Sequence, residues 1–231
     1  MRALIAIVSC WLCEINGDNE SVRGTWLKHV PEGVDYKFFH GQGFSCYPGS
    51  DKKYSIADVS KVPSDVVILN AEENYQSLIQ RSKELYTWGL DRGYDFVFKC
   101  YPDTYVSPTR LMNSGFEKHD YYGFIHTSAG VERTPGQRFK YGFMGGGEGY
   151  WVSRRALEII NRADINPDPV GEDLWVGEQV LGPAGIPMVN DPGYGAGITL
   201  HGSLLQNPID YRPGRYTNGW MYNTYNKLRG L

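Results

Sequence analysis

An apolar strand, Phe96, Val97 and Phe98, runs through Lys99, Cys100 and Tyr101 into Pro102 and a single carboxylate, Asp103, before Thr104, Tyr105 and Val106. Proline fixes its own φ and holds the preceding residue extended, so the chain turns where the carboxylate stands. In an open α/β sheet, ligands bind outside the carboxyl ends of the strands. A carboxylate there can grip a metal ion, a sugar hydroxyl or a nucleotide ribose. Two further acids, Glu172 and Asp173, follow Gly171 at the start of a helix. Adjacent helical positions face different ways, so one of the two is expected to enter a site while the other favours the helix dipole. The run Gly145, Gly146, Gly147, Glu148, Gly149 lacks the Lys-Ser/Thr ending of a P-loop and leads into an aromatic strand. Glycines at that place allow close backbone approach to a sugar, and Tyr150 and Trp151 then offer a stacking face, with a plain turn as the simpler alternative.

The elements that must position these residues alternate. Strand-like runs recur at Ala3 to Ser9, Tyr36 to Phe39, Val66 to Leu69, Asp95 to Lys99, Tyr121 to Ile125 and Pro187 to Asn190. Between several of them lie helical patterns. Tyr75, Leu78, Ile79, Leu85 and Tyr86 predict an amphipathic helix from Asn74 to Trp88 ended by Gly89. Ser153 reads as the N-cap of a helix carrying Ala156, Leu157, Ile159 and Ile160, stopped by Pro167, and a third helix runs from Gly171 through Leu174, Val176 and Val180 to Gly182. This is an α/β pattern with a mostly parallel sheet. Thr127 to Lys140 mixes Ser, Gly, Pro and charges without periodicity and reads as a surface loop of the kind that forms lids. The tail from Pro208 to Leu231 interleaves Tyr211, Arg212, Arg215, Tyr216, Trp220, Tyr222, Tyr225, Lys227 and Arg229. Such rings and cations suit either base stacking or packing back onto the body.

Composition bounds the possibilities. A chain of 231 residues with no repeat or obvious linker reads as one domain with a full core. Its 23 Lys+Arg against 26 Asp+Glu give a net charge of −3, so no global field draws it to nucleic acid or an anionic membrane. The apolar run Ala3 to Val8 is too short for a signal h-region or a membrane span, and a cytoplasmic protein is expected, in a host cytoplasm if the source is viral. Four cysteines, Cys10, Cys13, Cys46 and Cys100, make no disulfide framework. Cys10 and Cys13 have the spacing of half a zinc site or of a redox pair, with small residues ending the first strand as the plainer reading.

Several separated features follow the order of glycosyltransferase family 31, which contains β1,3-galactosyl- and β1,3-N-acetylglucosaminyltransferases and the Fringe proteins. Arg23, Thr25 and Trp26 resemble its Arg-x-Thr-Trp, and Tyr75, Leu78, Lys83 and Trp88 resemble the helix before its metal motif. Lys99 to Val106 is similar to its Lys-x-Asp-Asp-Asp-x-Phe-Val, with Tyr101 and Pro102 where the family has acids and Asp103 retained. Gly146, Gly147, Gly149, Tyr150, Val152 and Ser153 resemble Gly-Gly-x-Gly-Tyr-x-x-Ser, and Glu172, Asp173, Val176 and Gly177 resemble Glu-Asp-x-x-x-Gly. The resemblance implies a GT-A fold, Rossmann-like, with a UDP-sugar or other nucleotide-diphosphate sugar donor and inversion at the anomeric carbon. It implies Mn²⁺ or Mg²⁺ held by Asp103 with His201 assisting, Arg23, Lys99 and Tyr101 at the donor with Asp103, and Asp173 as general base beside Glu172. The acceptor is then a glycan or a hydroxylated base in phage DNA, flipped out of its duplex and favoured by Arg133, Arg138 and Lys140. A protein of another class, a catalytically silent sugar- or nucleotide-binding module, fits the depleted acidic motif as well.

Overall fold

The structure, a computed structural model, describes residues 1–45, 53–74, 76–134, 136–165, 171–201, 221 and 224–227. Strand β1 (Ala3–Val8) is apolar and buried at every position, as a strand covered on both faces must be. Leu4, Ala6 and Val8 point into one apolar core, and Ala3, Ile5 and Ile7 into a second on the opposite face. Two short helices follow, α1 (Trp11–Ile15) and α2 (Asp18–Gly24), then strands β2 (Val34–Gln42) and β3 (Val66–Glu72).

Helix α3 (Leu78–Asp91) buries Ile79, Leu85, Tyr86 and Gly89. It starts later than the apolar pattern predicts, because the Asn74 side chain accepts the Ser77 N–H at 2.8 Å and closes a turn before the first helical residue. It also runs through Gly89. A Cβ at Gly89 would lie 3.0 Å from Val97 Cγ2 and 3.9 Å from Leu4 Cδ2, so the glycine serves close helix-to-sheet packing instead of a stop. Tyr75 lies outside the described residues.

Strand β4 (Phe96–Cys100) leads into the short β5 (Thr104–Val106), and β6 (Tyr121–Gly123) and β7 (Tyr150–Ser153) complete the middle of the sheet. Ser153 caps helix α4 (Arg154–Arg162), its hydroxyl accepting the Ala156 N–H at 3.3 Å. Pro167 lies outside the described residues. Helix α5 (Glu172–Leu174) continues as a wide π-helical stretch, Trp175–Leu181, then β8 (Met188–Asn190) and β9 (Thr199–His201) follow.

The central sheet has seven strands in the order β8-β6-β7-β4-β1-β2-β3. All its pairings are parallel except those of β7, which runs antiparallel to both β4 and β6. Helices α3 and α4 and the π-helical stretch pack on the core of Leu4 and Val97, while α2 and Trp26 pack on the core of Phe38 and Phe98. This is a mixed α/β layout with a mostly parallel central sheet flanked by helices. No described helix is long and apolar enough to cross a membrane.

The segment Thr127 to Lys140 is not a structureless lid. Ile125–Ser128 pairs antiparallel with Gly142–Met144, and Glu132–Thr134 with Gln137–Arg138. The Glu178 carboxylate accepts the N–H groups of Lys140, Tyr141 and Gly142 at 2.6, 2.7 and 2.6 Å and ties the end of the segment to the π-helical stretch. The tail from Pro208 onwards lies outside the described residues except for Met221 and Thr224 to Lys227.

One carboxylate staples the carboxyl ends of β1, β2 and β3. Buried Glu73, next after β3, accepts the N–H groups of Trp11 and Gly41, and Arg81 stands 3.9 Å away. Burial pushes the Glu73 carboxyl up to about 7 from 4.5, although Arg81 and the two N–H donors oppose the shift. Burial likewise lowers the neighbouring His40 to about 3 from 6.5, helped by Arg81 and Arg23. The two groups act on stability with opposite sign. Folded Glu73 holds more proton than unfolded between pH 4.5 and 7, so its contribution falls as pH rises there; unfolded His40 holds more between pH 3 and 6.5, so its contribution rises. We predict that Glu73→Gln leaves the His40 slope unopposed. Relative to the parent, the variant gains about 1.4 kcal/mol of stability per pH unit between about pH 5 and 6.5, read by urea unfolding. A stability difference that is constant with pH contradicts this.

Candidate functional site

The site starts from the turn at the end of β4. Pro102 occupies its second position, and the Thr104 N–H closes it on the Tyr101 carbonyl at 3.1 Å. Directly after the turn, β5 pairs antiparallel with β9, matching Thr104 to His201. This ladder brings His201 to Asp103 across 98 residues of sequence, with Nε2 and Oδ2 3.1 Å apart. Burial opposes a charge on His201, but the hydrogen bond and negative charge of Asp103 outweigh it and raise the imidazole above its ordinary value. The other oxygen, Asp103 Oδ1, is buried with no hydrogen-bond partner among the described residues. A buried, unsatisfied carboxylate oxygen calls for an explanation.

Against this pair lies the glycine run. Thr104 donates its hydroxyl proton to the Gly147 carbonyl at 2.7 Å. A Cβ at Gly147 would sit 2.7 Å from His201 Cε1, closer than any real side chain allows. Gly146 faces the other way, where a Cβ would meet Lys99 Nζ at 3.1 Å, Glu172 Oε2 at 3.4 Å and Asp173 Cβ at 3.5 Å. The run is therefore narrow because the protein's own His201 and Lys99 close on it from two sides.

Behind the glycines is a buried charge cluster. Lys99 Nζ and Glu172 Oε2 are 2.6 Å apart with both side chains essentially inaccessible. Tyr101 donates its hydroxyl proton to Glu172 Oε2 at 3.3 Å, and Tyr150 donates to Oε1. Tyr86 extends the chain by donating to the Tyr150 hydroxyl at 2.9 Å, and the Lys99 ammonium lies 3.7 Å over the centre of the Tyr101 ring. Burial raises the phenols of Tyr86, Tyr101 and Tyr150 well above their ordinary range, with the Glu172 charge adding to the shift. They therefore stay protonated and able to donate.

Glu172 and Asp173 thus divide the roles. Glu172 is locked inside the cluster, whereas Asp173 is partly exposed, with Oδ1 accepting the Leu174 N–H at 2.9 Å and Oδ2 accepting the Gly146 N–H at 3.3 Å. Asp103, His201, Gly146, Gly147, Lys99, Tyr101, Glu172 and Asp173 are contiguous at the carboxyl end of β4.

Three sequence expectations take other roles. Arg23 is engaged by ion pairs with Glu14 at 2.7 Å and Asp65 at 2.9 Å and lies over the Phe38 ring. Trp151 offers no stacking face. It alternates to the opposite core, fully buried and stacked on Phe116 with ring centres 3.8 Å apart. Tyr150 is buried as well and offers no open ring face; it enters the charge cluster because it stands opposite Lys99 in the β7–β4 register. Two neighbours were not singled out as site residues. Asp18 is held up at about 6 by burial, against a hydrogen bond from Cys13, with the Asp103 charge adding to the rise. Asp103 also acts on Cys13, so the first turns of α1 and α2 border the same region. The Cys10–Cys13 spacing was a signal for one of them; nothing in the sequence marks Asp18.

No protein-family model and no curated protein matches the chain. Solved structures similar to it include a glycosyltransferase involved in the glycosylation of the major capsid of PBCV-1, 15% identical over 84% of this chain and 85% of that one, with a TM-score of 0.42. Another is A197 from STIV, 13% identical over 76% of each chain, with a TM-score of 0.37.

Removing one member of a buried ion pair strands the other. Lys99→Met is predicted to destabilise the fold by about 3–5 kcal/mol in urea unfolding, and Lys99→Met combined with Glu172→Gln to lose less than the sum of the single changes. Strict additivity would show that the two charges do not support each other.

Proposed function

We propose that this protein is a glycosyltransferase that moves a sugar from a nucleotide-diphosphate donor, a UDP-sugar, to an acceptor hydroxyl with inversion at the anomeric carbon. The observation that carries this reading is the convergence of Asp103 with His201 on one side of the glycine run and Asp173 on the other, at the carboxyl end of a central strand. The pair fits a hard divalent cation, because Asp103 Oδ1 is an oxygen ligand with no hydrogen-bond partner among the described residues and His201 adds an imidazole. Mn²⁺ or Mg²⁺ bound there would supply charge stabilisation to the departing diphosphate.

Asp173 is the proposed general base. It takes the proton of the acceptor hydroxyl as that oxygen bonds to the anomeric carbon, and the electron pair of the breaking carbon–oxygen bond leaves with the nucleoside diphosphate. Its two hydrogen bonds, from Gly146 and Leu174, aim the carboxylate without burying it. Glu172 then acts as a positioning residue that holds the first turn of α5 against Lys99. The acceptor we favour is a glycan hydroxyl, since the net charge of −3 offers no general attraction to a DNA backbone.

The test is nucleotide release. With Mn²⁺, UDP-sugars and glycan acceptors, the protein is expected to release UDP and to stop when EDTA is added. Asp173→Asn is expected to lower turnover about 10²-fold or more while UDP affinity stays within about twofold. Full turnover by that variant removes Asp173 from the mechanism. UDP binding with no release from any donor and acceptor supports a silent binding module instead. Binding to DNA with a steep salt dependence redirects the acceptor to a hydroxylated base.

A further inference from the structure

Cys10 and Cys13 are unused by the proposed transfer, and their arrangement is specific. Cys10 ends the loop after β1 in an extended conformation, φ −153° and ψ 163°, and Cys13 lies in the first turn of α1. The two sulfurs are 3.3 Å apart, in contact, and both residues are partly exposed. Cys100, by contrast, is buried in the core beneath Trp151 and Phe98, where burial raises its thiol far above the ordinary value. The pair is also chemically unequal. The contact between the two thiols lowers Cys10 and raises Cys13, with the Arg81 charge assisting at Cys10 and burial and Glu73 opposing there. One sulfur is thus a nucleophile and the other a resolving thiol.

We propose that Cys10 and Cys13 form a reversible dithiol–disulfide couple at the start of α1. The co-reactant is a small-molecule disulfide. The Cys10 thiolate attacks one of its sulfurs, forming a mixed disulfide and expelling one thiolate. Cys13 then loses its proton and attacks the Cys10 sulfur, closing the internal bond and expelling the second thiolate. Two electrons pass from the protein to the small disulfide, and the two protons end on the released thiols. The couple itself stands independently of the glycosyltransferase reading.

The experiment equilibrates the full chain in glutathione buffers from reduced to oxidised, quenches with acid, alkylates with N-ethylmaleimide and measures intact and peptide masses. One two-electron oxidation is expected, with two of the four thiols lost to alkylation, a disulfide in the peptide spanning residues 10 to 13, and full reversal by dithiothreitol. Cys46→Ser with Cys100→Ser is expected to titrate like the parent, and Cys13→Ser to stop at a glutathione adduct on Cys10. Four alkylatable thiols in every buffer, a bond involving Cys46 or Cys100, or separate glutathione adducts on Cys10 and Cys13 in the parent would overturn the proposal.

Discussion

The candidate site depends on one buried ion pair, Lys99 with Glu172, at 2.6 Å. Withdrawing two charges from water carries a desolvation penalty of several kcal/mol per ion, and their attraction offsets it only where further hydrogen bonds complete the pair. Tyr101 and Tyr150 supply those bonds to both oxygens of Glu172, and Tyr86 supports Tyr150 in turn. Charges so placed have few alternative arrangements. The pair joins the end of β4 to the start of α5 across 73 residues, and it thereby decides where the next residue, Asp173, must point.

The rest of the candidate site is built outward from that joint. Because β7 runs antiparallel to β4, the chain must arrive at the carboxyl end of β4 before turning back, and the glycine run is that arrival. The β5–β9 ladder then carries His201 to the far side of the same glycines and sets it beside Asp103. Glu73 performs the corresponding service at the ends of β1, β2 and β3, so the loops at the carboxyl ends of the strands are pinned by carboxylates. This explains how a site edge can be both polar and well ordered.

Much of this was legible in the sequence where the signal is local. The uninterrupted apolar run of Ala3 to Val8 marked a central strand, and Pro102 marked the turn that presents Asp103. Ser153 marked a helix start that formed as expected. Illegible features were those decided by distant partners. Gly89 looked like a stop, yet Val97 and Leu4 need its missing side chain. Thr127 to Lys140 showed no periodicity because its strands are two to four residues long, too short for a pattern to develop. The pairing of Glu172 with Lys99, which separates its role from that of Asp173, has no trace in either local segment. Trp151 carried a misleading signal, since an aromatic beside a glycine run suits a sugar platform and a core equally.

The account rests on a divalent cation and a nucleoside diphosphate meeting at Asp103. The most direct measurement is anomalous X-ray scattering from a crystal grown with Mn²⁺ and UDP. The account predicts a manganese peak within coordination distance of Asp103 Oδ1 and His201 Nε2, with the diphosphate directed towards Gly146 and Asp173. UDP bound elsewhere on the protein, or bound at this cleft with manganese absent from Asp103, would contradict it.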